Sequence, residues 1–282
     1  MTIAITGATG QLGRLAVAAL KDRVAADQIV ALVRDPAKAA DLGVAARAAD
    51  YHDTDQLAEA VKGIDTLVLI SSSDFNDRAG QHRNVIAAAK AAGVKHLIYT
   101  SILKGFDNPM ILAGDHKATE TAIAESGISA TILRNGWYTE NYTGALPASV
   151  EHGAIIGASG DGKIASAARK DYAEAIAVVA TTEGHAGKTY ELAGDTAYTI
   201  GEMAEEVSKV VGKTVPYQVL SQADYAAALT QIGLPEPVAQ IFADSDARAG
   251  DSAALFDDSK TLSTLIGRPT TPMKETVAAT FA

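Results

Sequence analysis

Cysteine is absent from this chain of 282 residues. Its absence excludes disulfides, thiolate catalysis, cysteine-ligated zinc and iron–sulfur clusters. Aromatic residues are scarce, at 5% of the chain, whereas alanine is abundant. Alanine favours helices and close packing of helix on sheet. The two features together favour a helix-rich α/β fold over an all-β fold.

Long apolar runs and an excess of positive charge are also missing. No run approaches the ~18 residues that a membrane helix needs, so we expect no membrane insertion. The first predicted strand starts at Thr2, which leaves no room for a targeting peptide and makes the cytoplasm the expected location. The formal net charge of −10 repels nucleic acid, so no nucleic-acid partner is expected. An anionic cofactor would be repelled by the same charge, so its site would need a helix N-terminus or basic residues nearby.

Over the first 135 residues, short apolar strands alternate with amphipathic helices. This pattern is typical of a parallel sheet covered by helices on both faces, in the doubly wound (Rossmann) arrangement of an α/β protein. The predicted strands are Thr2–Thr6, Gln28–Val33, Ala45–Ala48, Thr66–Ile70, His96–Tyr99 and Ala130–Leu133. The predicted helices are Gln11–Lys21, Pro36–Leu42, Asp53–Val61, Arg78–Ala92 and Asp115–Ser126.

After Arg134 the rhythm changes, and we expect a smaller, mostly helical C-terminal lobe. The sequence therefore predicts a dinucleotide-binding domain over residues 1–140 and a substrate lobe over 141–282, with a boundary that is approximate because the chain can cross between lobes. Predicted helices in this part are Lys170–Ala180, Ile200–Val211, Ser221–Ile232 and Pro237–Ala249. Predicted strands are Ala154–Ile156, Thr189–Leu192 and Val215–Gln218.

A glycine-rich turn joins the first predicted strand to the first predicted helix. Its residues are Gly7, Ala8, Thr9, Gly10, Gln11, Leu12 and Gly13. The first glycine permits unusual backbone angles, the second admits a pyrophosphate to the main chain, and the third lets the helix lie close to the sheet. Free N–H groups and the helix dipole would bind the phosphates. The strand before and the helix after make this turn a dinucleotide-binding fingerprint rather than an ordinary glycine-rich turn.

Arg34 lies at the tip of the second strand, where NAD-specific folds carry an acidic residue. A guanidinium binds a 2′-phosphate bidentately, so we expect NADPH as the cofactor. Asp35 follows directly, which leaves NADH possible. Lys38 is a weaker candidate for the same role, since a surface charge on a helix needs no ligand.

Hydroxyl residues follow two further strands at the sheet edge where ligands of this fold bind. Ser71, Ser72 and Ser73 are candidate cofactor contacts, although a serine-rich turn that caps the next helix is the alternative. Tyr99, Thr100 and Ser101 end the fifth strand. No tyrosine here has a lysine four residues later, since Leu103 occupies that position after Tyr99. The missing pair argues against simple alcohol dehydrogenation.

The segment after the sixth strand carries the only tryptophan of the chain. Asn135 is a candidate partner for the nicotinamide carboxamide or a substrate carbonyl, and Trp137 and Tyr138 offer an aromatic wall for a planar acceptor. Packing between lobes is the competing role. The candidate contacts with the cofactor are Asn135, Gly136, Trp137, Tyr138, Thr139 and Glu140. Those with the substrate are Trp137, Tyr138 and Tyr142, and Asn135 and Tyr138 are candidate catalytic residues.

Other charged residues give weaker signals. His116 and Glu120 lie four apart on one helix face, but two ligands without a third do not make a metal site, so no metal is expected. Lys117 is a surface charge with a less favoured role as proton donor. Lys163 and Arg169, in a glycine-rich stretch, are candidate partners for an anion.

These motifs together resemble the atypical short-chain dehydrogenase/reductase group related to NmrA. The resemblance rests on GATGQLG at 7–13, VRDPAK at 33–38, the serine cluster, YTS at 99–101, HKATE at 116–120 and LRNGWYTENY at 133–142. Within that group the chain is most similar to bacterial NAD(P)H:quinone oxidoreductases of type 2, over nearly its whole length. The resemblance implies direct hydride transfer from NADPH to a small-molecule quinone, without flavin or metal. It also implies that cofactor contacts fall on residues 7–12, 34, 71–73 and 135–140.

Three alternatives stay open. Some NmrA-like proteins bind the dinucleotide and turn over nothing, so an NADP(H)-sensing regulator is the first. Reduction of a triphenylmethane or azo dye is the second. A sugar-nucleotide epimerase ranks last, because it needs the missing Tyr–Lys pair. The sequence leaves a homodimer open.

Overall fold

Seven strands form the main sheet in this computed structural model, which describes residues 1–74 and 76–282. Their spatial order is β3-β2-β1-β4-β5-β6-β8, and two further strands, β7 and β9, pair separately. The strands are β1 Ile3–Thr6, β2 Ile29–Val33, β3 Ala45–Ala48, β4 Thr66–Leu69, β5 His96–Ile102, β6 Ala130–Asn135, β7 Ile155–Gly157, β8 Thr189–Leu192 and β9 Tyr217–Val219.

The strands run parallel because every connection returns to the same edge of the sheet through a helix. Ile3 pairs with Ile29 on one side and with Thr66 on the other. The strands β1, β2 and β4 are buried along their whole length, as expected for strands covered on both faces. The edge strand β3 is only partly buried. The doubly wound parallel sheet predicted from the sequence is confirmed.

Twelve α-helices connect the strands or follow them in the described residues, together with 3₁₀ helices at Ala26–Gln28, Pro36–Leu42 and Gly105–Asp107. The α-helices are α1 Gln11–Lys21, α2 Thr54–Ala60, α3 Arg78–Ala91, α4 Ala113–Ser126, α5 Glu140–Thr143, α6 Leu146–His152, α7 Arg169–Thr181, α8 Ile200–Val211, α9 Gln222–Gln231, α10 Glu236–Asp251, α11 Thr261–Ile266 and α12 Met273–Thr280.

Side-chain caps fix where several helices begin. The Asp53 side chain accepts from the Gln56 N–H at 2.9 Å and caps the start of α2. The Thr199 hydroxyl accepts from the Glu202 N–H at 3.0 Å, while the Glu202 carboxylate accepts from the Thr199 N–H at 2.7 Å. This capping box satisfies two donors that no helical carbonyl can reach. At the other end of α8, Gly212 stops the helix in the left-handed conformation.

Several predicted boundaries differ from those in the structure. The helix predicted at Pro36–Leu42 has the predicted bounds and is of the 3₁₀ type, between the Asp35 cap and Gly43. The strand β6 extends two residues beyond the predicted end and includes Asn135, because pairing with β5 continues to that point. The short helices α5, α6, α11 and α12 were not predicted, since elements of four to eight residues show too few turns for a clear period.

The chain divides into two compact units that interleave along the sequence. The first comprises 1–102, 115–135 and 169–190, and the second 103–114, 136–168 and 191–282. In the first unit α7 packs against α1, and Arg23 Nε donates to Thr181 Oγ1 at 2.7 Å. A single cut at residue 140 therefore does not describe this division. The sequence places α7 and β8 in the second lobe, whereas the structure places α7 in the first unit and β8 in the main sheet.

Candidate functional site

The turn between β1 and α1 has a conformation and a close packing that require glycine. Gly7 has a φ of +60°, and its carbonyl accepts from the Gly10 N–H at 2.9 Å. A Cβ on Gly13 would lie 2.2 Å from the Gly7 carbonyl oxygen and 2.7 Å from the Ala8 Cα. No side chain fits there, so the first turn of α1 lies directly against the loop. The close approach matches the geometry that a dinucleotide fingerprint requires.

The start of α1 suits an anion. Gly10 is its N-terminal cap, so no side chain competes for the N–H groups there, and its first turn carries no acidic residue. Unpaired N–H groups and the positive end of the helix dipole attract phosphate. The residues present therefore fit the pyrophosphate of a dinucleotide, in a chain whose net charge is otherwise −10.

Arg14 fixes this loop to the neighbouring 3₁₀ helix. Its Nε donates to the Thr9 carbonyl at 3.2 Å, Nη2 to the Lys38 carbonyl at 3.1 Å, and Nη1 to Asp41 at 2.5 Å. Sequence reasoning did not single out Arg14. The available signal was a basic residue directly after the third glycine, facing the acidic residue of the following helix.

Arg34 follows β2 at the carboxyl edge of the sheet and is exposed. Asp35 is the cap of the 3₁₀ helix, since its carboxylate accepts from the Ala37 N–H at 3.0 Å. The Arg34 charge acts on the Tyr51 phenol and opposes the rise in its pKa that burial causes. Tyr51, just beyond β3, thus interacts with Thr6 and with the Arg34 charge, which the sequence did not indicate.

The serine turn after β4 is held by its backbone. The Ile70 N–H donates to Thr6 Oγ1 at 3.0 Å and the Ser71 N–H to Thr100 Oγ1 at 2.9 Å. The Ser72 hydroxyl accepts from the Asp74 N–H at 3.1 Å. Ser73 is exposed, while Ser71 and Ser72 are half-buried.

The first unit brings these candidates to one edge. Parallel strands carry their carboxyl ends on the same side, and β2, β1 and β4 are neighbours. Arg34, the glycine turn and Ser71–Ser73 follow these three strands in that order. Asn135 ends β6, two strands beyond β4, and is buried. This edge is the ligand-binding edge of doubly wound sheets.

Tyr99, His116 and Glu120 are buried and have polar partners within the protein. The Tyr99 hydroxyl lies 2.8 Å from His116 Nδ1. Glu120 accepts from Arg134 through both oxygens, at 3.1 and 2.8 Å, and from the Ser101 hydroxyl at 2.5 Å. Burial lowers the pKa of His116 to about 3 and raises that of Tyr99. His116 and Glu120 thus have separate structural partners, and the described residues contain no group of three potential metal ligands.

In the second unit, residues 136–142 are pinned by their backbone. The Gly136 N–H donates to the Leu192 carbonyl at 2.7 Å, and the Thr139 N–H to the Ala167 carbonyl at 2.9 Å. The Thr139 hydroxyl lies 2.8 Å from that of Ser166. Trp137 and Tyr138 remain half-exposed on this fixed backbone, as an aromatic wall for a ligand requires.

Tyr142 has a buried carboxylate as its partner. Its hydroxyl donates to Asp246 of α10 at 3.3 Å, and Asp246 also accepts from the N–H groups of Ala158 and Ser159, at 2.5 and 3.1 Å. Burial raises the pKa of Asp246, against these hydrogen bonds. The Tyr142 hydroxyl therefore has a structural role, and a substrate contact would have to use its ring.

Lys163 forms an ion pair with Glu202 of α8, with Nζ 3.0 Å from Oε2. Glu202 would therefore compete with an anionic ligand for the Lys163 charge. Arg169 is the first residue of α7 and lies in the first unit, whereas Lys163 lies in the second. The structure does not assign the two residues to one unit, although the sequence grouped them.

A model of the NmrA-like family matches residues 1–271. Quinone oxidoreductase 2 of Escherichia coli is 56% identical over 282 residues, which cover 99% of this chain and 98% of that protein. The crystal structure of an NADPH-dependent quinone oxidoreductase from Escherichia coli, complexed with NADPH, has a TM-score of 0.97 at 55% identity and full coverage of both chains. The Citrobacter sp. triphenylmethane reductase complexed with NADP(H) has a TM-score of 0.93 at 40% identity, covering 99% of this chain and all of that one.

Proposed function

Because the chain belongs to the NmrA-like family, we propose that it is an NADPH-dependent quinone reductase that transfers hydride directly, without flavin or metal. The observation that carries the proposal is the 56% identity to Quinone oxidoreductase 2, which extends over the whole chain. The glycine turn supports the dinucleotide part independently, since its Gly13 position has no room for a Cβ.

The residues of the first unit would bind and orient the cofactor. The glycine turn and the start of α1 would hold the pyrophosphate, Arg34 the 2′-phosphate, and Ser71–Ser73 the adenosine side. Asn135 would orient the nicotinamide. When bound, NADPH supplies a hydride from C4 of its nicotinamide ring.

The segment that follows β6 would position the quinone. Trp137 and Tyr138 would bind its ring, on a backbone that hydrogen bonds hold in place. Gly136, Thr139 and Glu140 would also contact the cofactor. The ring of Tyr142 would contact the substrate. Positioning of two reactants is by itself a large catalytic effect.

The missing Tyr–Lys pair agrees with a quinone acceptor. The Tyr99 hydroxyl is fully buried and bonded to His116, so it is not a general acid. Reduction of a quinone needs one hydride and one proton, and hydride addition leaves an aromatic anion whose charge is delocalised. Water can protonate such an anion. A simple ketone, whose alkoxide is a far stronger base, would need the tyrosine.

The test is the loss of NADPH absorbance with purified, flavin-free protein and a simple benzoquinone, with NADH run in parallel. We expect turnover well above the uncatalysed rate, and faster turnover with NADPH. Tight binding of NADP(H) by calorimetry without turnover would instead establish a cofactor sensor.

A second candidate is reduction of a triphenylmethane dye, which the likeness to the Citrobacter reductase favours. Parallel assays with a benzoquinone and a triphenylmethane dye decide between them. If kcat/KM for the dye exceeds that for the quinone, the dye is the better assignment.

We place the enzyme in the cytoplasm, with a small-molecule quinone as its substrate. Across the residues that the structure covers, none of the helices combines the length and the apolar character that a membrane span needs. A homodimer is proposed as the assembly, to be tested by light scattering on the purified protein.

A further inference from the structure

The helix α3 buries a polar face. Arg78, Gln81 and His82 are 4%, 4% and 0% exposed, and they lie at relative positions i, i+3 and i+4, which share one side of a helix. A helix that covers a sheet normally buries apolar side chains there. Burial of polar side chains is costly unless each has a hydrogen-bond partner. This face therefore needs an explanation from its contacts.

The partners lie in the turn after β4. Arg78 Nε donates to the Ser72 carbonyl at 2.6 Å, and His82 Nε2 accepts from the Ser72 N–H at 3.0 Å. Both peptide groups of Ser72 are thus held by side chains one helical turn apart. Gln81 Nε2 donates to Asp74 Oδ2 at 2.6 Å. Three residues of α3 define the path of the chain through the serine turn.

The hydrogen bonds also define the protonation of His82. The Thr119 hydroxyl donates to the Asp115 carbonyl at 2.8 Å, so its oxygen is the acceptor for His82 Nδ1, 2.9 Å away. Nδ1 therefore carries the proton, and Nε2 is left to accept from Ser72. Burial and the neighbouring Arg78 charge lower the pKa of His82 to about 3, so the ring is neutral. The Tyr99 ring packs against it, with centroids 5.5 Å apart and planes at 72°.

We propose that His82 and Arg78 are positioning residues for the cofactor, which hold the Ser72 peptide so that the Ser71–Ser73 turn is preorganised to receive the dinucleotide. The inference rests on the proposed function, in which this turn contacts NADPH. The turn lies at the carboxyl end of β4, and β4 neighbours β1, which leads into the glycine turn. A turn that is already ordered binds more tightly, because less conformational entropy is lost on binding.

Two substitutions of similar size separate the two nitrogen atoms of the ring. The Asn in His82→Asn places an amide where Nδ1 stood, so it keeps the donor for Thr119 and loses the acceptor for Ser72. The Gln in His82→Gln reaches the Nε2 position, so it keeps the acceptor for Ser72 and loses the donor for Thr119. Each variant removes one buried hydrogen bond, so a purely structural role predicts the same effect for both.

The measurements are the dissociation constant of NADPH by calorimetry, and KM and kcat with a benzoquinone. For His82→Asn we expect NADPH to bind about tenfold more weakly, the size of one lost hydrogen bond, with kcat at saturating NADPH unchanged. For His82→Gln we expect binding within about threefold of the wild type. Hydrogen exchange of the Ser72 amide should be faster in the Asn variant alone.

Urea unfolding of both variants is the control for folding. Equal losses of NADPH affinity in the two variants would reduce His82 to a structural residue and overturn the proposal. So would wild-type affinity in a folded His82→Asn variant. Wild-type protein that binds NADPH but reduces no quinone would end the proposed function while leaving this test intact. Wild-type protein that binds no NADPH would overturn both.

Discussion

Arg34 and Asp35 are neighbours in the sequence but differ in their surroundings. Arg34 is exposed at the end of β2, whereas Asp35 accepts from the Ala37 N–H and so starts the following 3₁₀ helix. An acidic residue in this part of the fold usually binds the ribose 2′-hydroxyl of NAD. Here the carboxylate already has a structural partner. This arrangement favours binding of the 2′-phosphate of NADPH by Arg34 over binding of the NAD ribose by Asp35.

Arg34→Ala should therefore weaken the use of NADPH and spare that of NADH. A charge-assisted hydrogen bond contributes about 1.5–3 kcal/mol, so we expect KM for NADPH to rise roughly tenfold to a hundredfold. The check is KM for both cofactors, with Lys90→Ala as the control, since Lys90 lies in the last turn of α3. An equal loss for NADPH and NADH would contradict the role in 2′-phosphate binding.

The packing of α1 against the glycine turn depends on the missing side chain of Gly13. A Cβ there would lie 2.2 Å from the Gly7 carbonyl oxygen, which is backbone and cannot move aside. Gly13→Ala should lower the free energy of unfolding by about 1–3 kcal/mol and abolish NADPH binding. Gly114→Ala is the matched control, because nothing lies within 4 Å of its added Cβ. Urea unfolding and calorimetry test both variants, and similar behaviour of the two would refute the argument.

Among the helices, α3 and α8 differ in how much of their structure the sequence predicted. The helix α8 has apolar residues on one side and a capping box at its start, and its predicted bounds Ile200–Val211 agree with the structure. The helix α3 was predicted to within one residue of its end, yet its polar buried face was not. Local period and breakers locate a helix, but the partners of a buried Arg or His come from distant residues.

The capping box of α8 should contribute measurably to stability. Thr199→Ala removes the side-chain acceptor for the Glu202 N–H and should cost about 1 kcal/mol of unfolding free energy. Thr264→Ala, at an exposed position of α11, should change stability by less than about 0.5 kcal/mol. Urea unfolding compares the two variants. Equal stabilities would show that water caps α8 as well as Thr199 does.

For the whole molecule, two buried histidines link stability to pH. Burial lowers the pKa of His82 and of His116 to about 3, from an ordinary value of 6.5. Between these values the unfolded chain binds protons that the folded chain refuses, so stability is full above pH 6.5 and falls as the pH decreases. The carboxylates whose pKa values are lowered by partners, such as Asp65 and Asp74, lose their contribution to stability only as the pH falls below their ordinary pKa of 3.8.

Urea unfolding at pH 7.5 and pH 5.0 tests this linkage. We expect the free energy of unfolding to be lower at pH 5.0 by about 4 kcal/mol, from about 1.4 kcal/mol per pH unit for each histidine below pH 6.5. His82→Gln should remove about half of this difference, because one titrating group is gone. An unchanged pH dependence in His82→Gln would show that His82 does not contribute.

Most of the first half of the fold was predictable from the sequence because its signals are local. The strands are short apolar runs, and the helices have caps and terminal glycines. The glycine turn needs a positive φ at Gly7 and the absence of a Cβ at Gly13. The identities of Arg34 and Ser71–Ser73 as candidates follow from the same reasoning, since the carboxyl ends of parallel strands share one edge.

Long-range contacts decided the rest. Tertiary packing joined Thr189–Leu192 to the main sheet and α7 to the first unit. It also committed Tyr142 to Asp246, Lys163 to Glu202, and α3 to the Ser72 peptide. No residue spacing encodes these pairs, since the partners lie 104, 39 and 10 residues apart. The sequence by itself determined the doubly wound fold and its glycine turn, because those depend on neighbours along the chain, whereas the roles of buried polar groups depend on neighbours in space.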